Sequence, residues 1–139
     1  MNAKEFFQQA FRLNELIETN RLELKRLRAL SQSVSTPSLT GDRIGAGNPD
    51  DRVGNIVAKI VDLESEINDE ISGFIELERE IRGYICAVSN VNYRLILQKR
   101  YINFQKWEEI SDEMNYSLRR VLQLHGKALG EASEKYRQR

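Results

Sequence analysis

WEEISDEMNYSLRRVLQLHGKAL, residues 107–129, sets its apolar and small side chains where two short helices joined by a tight turn would touch. Ile110 and Met114, four apart, share one face of a first helix; Val121 and Leu124, three apart, share one face of a second. Tyr116 completes the expected inward set, and Ser111 is small where two backbones come close. The reversal needs a residue at positive φ, which Asn115 tolerates better than most non-glycine residues. Ser117 follows with a hydroxyl suited to accept from an unpaired N–H of the second helix. These residues together predict a helix-turn-helix, with double-stranded DNA as the first partner to consider. The competing reading is an ordinary αα-hairpin with no DNA role.

Upstream, Ser89 and Asn90 form a cap signal for a further helix over residues 91–102, with Tyr93, Ile96, Leu97 and Tyr101 on one side. That helix completes a three-helix module expected over residues 89–139. Tyr93, Tyr101, Phe104, Trp107 and Tyr116 crowd this module with rings. Rings beside basic residues can stack on single-stranded bases, but their helical spacing favours the core of a small domain.

Residues 1–88 predict two long helices. The first stripe is Phe6, Ala10, Leu13, Ile17, Leu24 and Leu27, with Asn20 in one seam position. The second is Val53, Ile56, Ile60, Leu63, Ile67, Phe74, Leu77, Ile81 and Tyr84, with Glu70 in the seam and Ile71 beside it. Alternating steps of three and four residues seek a partner helix. Helices of about thirty residues would each run roughly 45 Å and could not stand alone in water with that much apolar surface. The simplest closure is an antiparallel coiled-coil hairpin. Asn20 and Glu70 either set its register or sit at frayed, rim-exposed points. Both prolines, with Ser, Thr and Gly, crowd the connection at residues 34–49, which reads as a flexible loop. The alternative is an ordered docking loop with Leu39, Arg43 and Ile44 as contacts. Asp50 and Asp51 suit the positive end of the second helix.

The 139 residues carry equal numbers of acids and bases, 21 each, unevenly divided. Residues 91–139 hold ten Lys/Arg against six Asp/Glu, so the basic excess lies in the expected DNA-binding module. Cys86, the single cysteine, excludes an internal disulfide; among Tyr84, Ile85 and Val88 it is expected to be a buried structural thiol. His125, the single histidine, has neither ligand partners for a zinc site nor a nucleophile at motif spacing, so it is expected on the helix surface or at a phosphate. Gly45-Ala46-Gly47 makes no P-loop. No cofactor, metal, catalytic residue or membrane span is expected, and no signal-peptide run opens the chain, so the expected location is the cytoplasm. An enzyme is argued against.

The run Arg100-Tyr101-Ile102-Asn103, Trp107-Glu108-Glu109-Ile110-Ser111, Tyr116-Ser117-Leu118-Arg119-Arg120-Val121 and Leu124-His125-Gly126-Lys127-Ala128-Leu129 resembles region four of bacterial sigma factors. With SLTGDRIG at 38–45 and VAKIVDLESEINDEI at 57–71, the chain as a whole looks like a small bacteriophage protein family related to phage late-transcription regulators. The resemblance implies an all-α fold and promoter reading by the stretch matching Leu118, Arg119, Arg120, Leu122 and Gln123. It also implies a first motif helix, bearing Glu108, Glu109, Asp112 and Glu113, that meets activators or bacterial RNA polymerase. Leucines stand at two positions where relatives carry polar readers, so no target sequence carries over.

From the residues themselves, Val121 and Leu124 fix the inward side, leaving Leu118, Arg119, Leu122 and Gln123 as base-reading candidates. Arginine suits guanine and glutamine suits adenine. Lys106, Ser117, Arg120 and Lys127 are the candidates for backbone phosphates. The leading expectation is a phage or prophage transcription regulator, with the hairpin serving homo-oligomerisation, a dimer first, or polymerase contact. The alternatives are a DNA-packaging recognition subunit resembling a small terminase, and a coiled-coil protein-binding adaptor.

Overall fold

A computed structural model describes residues 1–35 and 49–138. Among them all regular structure is helical: α1 (Ala3–Ser35), α2 (Pro49–Cys86), α3 (Val91–Tyr101), α4 (Trp107–Met114) and α5 (Leu118–Arg137). The fold is all-α.

The ends of the elements follow local chemistry. Asn2 and Glu5 cap α1 reciprocally: Asn2 Oδ1 accepts from the Glu5 N–H at 2.8 Å, and Glu5 Oε2 accepts from the Asn2 N–H at 3.1 Å. The expected loop at 34–49 loses residues at both edges. Helix α1 continues through Ser35, and Pro49 opens α2, since a proline at the first helical position forfeits only an N–H that would have no intrahelical partner. The rest of that loop, with Leu39, Arg43 and Ile44, lies outside the described residues. Asn90 caps α3, its side chain accepting from the N–H groups of Asn92 and Tyr93.

Two compact units emerge, Met1–Asn14 with Gly73–Arg139, and Glu15–Ser72. These units group the residues differently from the division expected between residues 88 and 89. Phe6, Phe7 and Ala10 of α1, Ile81 and Ile85 at the end of α2 and Val88 just past it share one buried cluster with Leu97, Tyr101, Ile102, Ala128 and Ala132. Residues 1–14 and 73–88 belong by their packing to the C-terminal module. Rings complete this core: Phe7 lies 5.3 Å from Tyr101, and Phe6 lies 5.9 Å edge-on from Tyr84 and 5.3 Å from Tyr136. Ala128 and Ala132 are fully buried, and their small side chains let α5 lie close.

Within Glu15–Ser72, Leu24, Leu27, Leu63 and Ile67 form the buried seam, flanked by Ile60 and Ile71. The pairing is antiparallel: Asn20 faces Glu70, while Arg28 faces Glu64 at 2.7 Å. The two polar seam residues are partners, not frayed points. Asn20 is buried, and its amide donates to both Glu70 carboxylate oxygens, at 2.8 and 3.1 Å. Shifting either helix by a turn would part them, so the pair favours one register. The exposed Arg28–Glu64 pair adds little.

Cys86 is exposed, contrary to expectation. The buried positions in the last turns of α2 are Ile81 and Ile85, four apart on one face, so Cys86 turns away from the core. No helix among the described residues is long and apolar enough to cross a membrane.

Candidate nucleic-acid interface

Helices α3, α4 and α5 pack on one another, and the turn between the last two is built from its own side chains. Asn115 adopts φ 57° and ψ 36°, and its N–H reaches back to the carbonyls of Ser111 and Asp112. The Tyr116 N–H donates to the Ser111 carbonyl at 3.2 Å, and the Ser111 hydroxyl donates to the Tyr116 carbonyl. Ser111 thus does more than leave room. Ser117 caps α5, its hydroxyl accepting from the Arg120 N–H at 3.1 Å.

Ile110, Val121 and Leu124 are buried between the helices, and Met114 is half-buried. Tyr116 was expected inward, yet it is 37% exposed. It lies between the left-handed residue and the cap, on backbone committed to the turn.

His125 departs furthest from expectation: it is buried, not on the surface. Its Nε2 shares a 2.7 Å hydrogen bond with the Tyr101 hydroxyl, and its ring meets Trp107 edge-on at 4.5 Å. Burial first, then the nearby charges of Lys4 and Arg100, hold the imidazole pKa down at about 4. Burial pushes the Tyr101 phenol up to about 12, with Arg100 pulling the other way. Arg100 lies over the Trp107 ring at 4.4 Å and donates to the Gln105 carbonyl at 2.9 Å. Lys99 pairs with Glu113, which also accepts from Gln105 at 2.8 Å; the hydrogen bonds from Lys99 and Gln105 hold its carboxyl below the usual range. Side chains of α3 and its following loop therefore fix where α4 and α5 stand.

That loop contains Phe104 at φ 56°, a costly conformation for a bulky residue. Its ring sits 5.8 Å from Phe11 and 6.1 Å from Phe74, contacts that offset the strain. At the far end, Glu131 accepts from both the N–H and the hydroxyl of Ser89, which lowers its carboxyl pKa and ties α5 to the start of α3.

Every candidate contact residue is exposed: Leu118, Arg119, Leu122 and Gln123 among the base readers, and Lys106, Ser117, Arg120 and Lys127 among the phosphate candidates. At about 100° per residue, Arg119 and Gln123 form one outward stripe of α5, with Leu118 and Leu122 on one flank and Arg120 and Lys127 on the other. Glu108, Glu109 and Asp112 are exposed on α4. Among the described residues no group of three His, Cys, Asp or Glu side chains is placed to hold a metal ion.

Residues 33–131 match the family described as "Protein of unknown function (DUF1492)". The chain belongs to the DUF1492 family. No curated protein and no solved structure matches it. The span shared with DUF1492 takes in α2, α3, α4, the turn and α5 as far as Glu131. It leaves out Phe6, Phe7 and Ala10, which complete the core in this DUF1492 chain.

Gly126 and Gly130 continue the outward stripe of α5, and a Cβ at either would meet nothing within 4 Å. Gly126→Ala is therefore expected to raise stability by about 0.5–1 kcal/mol, read as a higher midpoint in urea. A loss would mean that something unseen in the isolated chain already occupies that space.

Proposed function

We propose that this chain is a phage or prophage transcription regulator that reads promoter DNA by laying the N-terminal turns of α5 in the major groove. The paired α1 and α2 segments of Glu15–Ser72 would serve dimerisation or contact with RNA polymerase, in the cytoplasm of a bacterial host. One observation carries the reading. Val121, Leu124, His125 and Ala128 occupy the buried side of α5, while Leu118, Arg119, Leu122 and Gln123 stand exposed together just past an N-cap and an αL turn. A recognition helix needs that arrangement, with cations flanking the readers to meet phosphates, as Arg120 and Lys127 would.

A gel-shift titration on genomic fragments, repeated across salt concentrations, tests it. Arg119→Ala is expected to weaken the preferred site by about 1–3 kcal/mol and relax base preference. Lys127→Ala should weaken all sequences similarly and flatten the salt dependence by about one ion. If neither substitution changes binding, this face does not read DNA. A large ring by light scattering would point to a packaging subunit, and absence of salt-dependent DNA binding to a protein-binding adaptor.

A further inference from the structure

Leu118 and Leu122 are 42% and 45% exposed, four residues apart on the first turns of α5. Neither has a polar group to offer a base edge, yet both flank the Arg119 and Gln123 stripe. Leaving two leucines half in water forfeits burial that a free-standing module could otherwise use. In the major groove, thymine carries on its edge an apolar group, the 5-methyl, that guanine, adenine and unmodified cytosine lack.

We infer that Leu118 and Leu122 select thymine by covering its 5-methyl group, so the recognised site contains thymines at the positions they face. This rests on the proposal that α5 enters the major groove. The separation fits: four residues of helix rise about 6 Å, against about 3.4 Å per base pair, so the two leucines face positions one to two base pairs apart. A protein partner fits less well. A specific protein interface buries roughly 800 Å² per partner, and this apolar strip of α5 is two leucines, bordered by Arg119. One methyl under each leucine requires no larger surface.

The test is a selection of the full-length protein on a random-sequence duplex pool, followed by replacement of each thymidine in the enriched site by deoxyuridine. Deoxyuridine keeps the pairing edge and the O4 acceptor and removes only the methyl. Two replacements, at the positions the leucines face, are expected to weaken binding about fourfold each. Leu118→Ala and Leu122→Ala should each abolish one of those differences, and Arg119→Ala should leave them intact while weakening binding overall. Both leucines are exposed, so the variants are expected to keep the wild-type unfolding midpoint. Enrichment with equal affinity for thymidine and deoxyuridine sites overturns this inference alone. Failure to enrich any duplex, with no salt-dependent binding, overturns the DNA-binding reading and this inference with it.

Discussion

Phe7→Ala is expected to lower the unfolding free energy by about 3–5 kcal/mol, the range for emptying a fully buried aromatic site. Phe7 is completely buried, packs against Tyr101 of α3 at 5.3 Å and Phe6 at 6.1 Å, and shares its cluster with Ala128 and Ala132 of α5. A domain has only about 5–15 kcal/mol in hand, so a loss of this size would leave much of the chain unfolded at moderate urea. Urea denaturation followed by circular dichroism measures the change. Amide exchange locates it: protection should fall across α3 and α5 as well as the start of α1. A change under 1 kcal/mol, or one confined to α1, would mean that residues 89–139 fold without the N-terminus.

That contrast marks where the sequence stopped being informative. The stripes from Phe6 to Leu27 and from Val53 to Tyr84 were legible, because a period near 3.5 residues leaves an isolated helix one way to hide its face. The positive φ of Asn115 and the cap at Ser117 were legible for a different reason. Both are local, decided by residues within a turn of each other. What the stripes do not reveal is which helix lies on the next face. The adjacent pair Phe6 and Phe7 widens the apolar face of α1 beyond a two-helix seam, a signal that a further element packs there, yet its partners Tyr101 and Ala128 stand about a hundred residues away. Asn20 and Glu70 each looked like a defect when read alone, and their complementarity needs the antiparallel register to bring them together. The capping pair Asn2 and Glu5 has the right spacing in the sequence and could have been found there.

The candidate interface divides along the same line. Exposure of Leu118, Arg119, Leu122 and Gln123 follows from the burial of Val121 and Leu124 through helical periodicity alone. The support behind it was not legible. His125 lies beside Leu124, but its reason for being inside is the Tyr101 hydroxyl, 24 residues earlier. Tyr116 was misplaced because periodicity says nothing about the backbone of a turn.

The buried histidine makes the module sensitive to acid, in a direction fixed by its pKa. In the unfolded chain the imidazole titrates near 6.5, whereas in the folded chain burial, with Lys4 and Arg100, holds it at about 4. Between those values the unfolded state binds a proton that the folded state refuses, so stability falls as pH falls through this window. The contribution is complete above pH 6.5 and gone by about pH 4. The displacement corresponds to about 3 kcal/mol at most. With its pKa pushed up to about 12, the Tyr101 phenol keeps its proton throughout; the neutral ring can accept or donate at Nε2 according to its tautomer, whereas the protonated ring can only donate to the phenol oxygen. Urea titrations from pH 7.5 to 4.5 should show the unfolding free energy declining, and His125→Gln, which keeps an acceptor, should flatten most of that decline. Glu113 and Glu131, whose carboxyls are held low, add a loss in the same direction, but in the carboxylate range, where His125→Gln leaves it in place. The decisive reading is the His125 ring resonance of the folded protein. It should stay at its neutral position down to about pH 5, and a midpoint near 6.5 would place the imidazole in water and remove the link from α5 to α3.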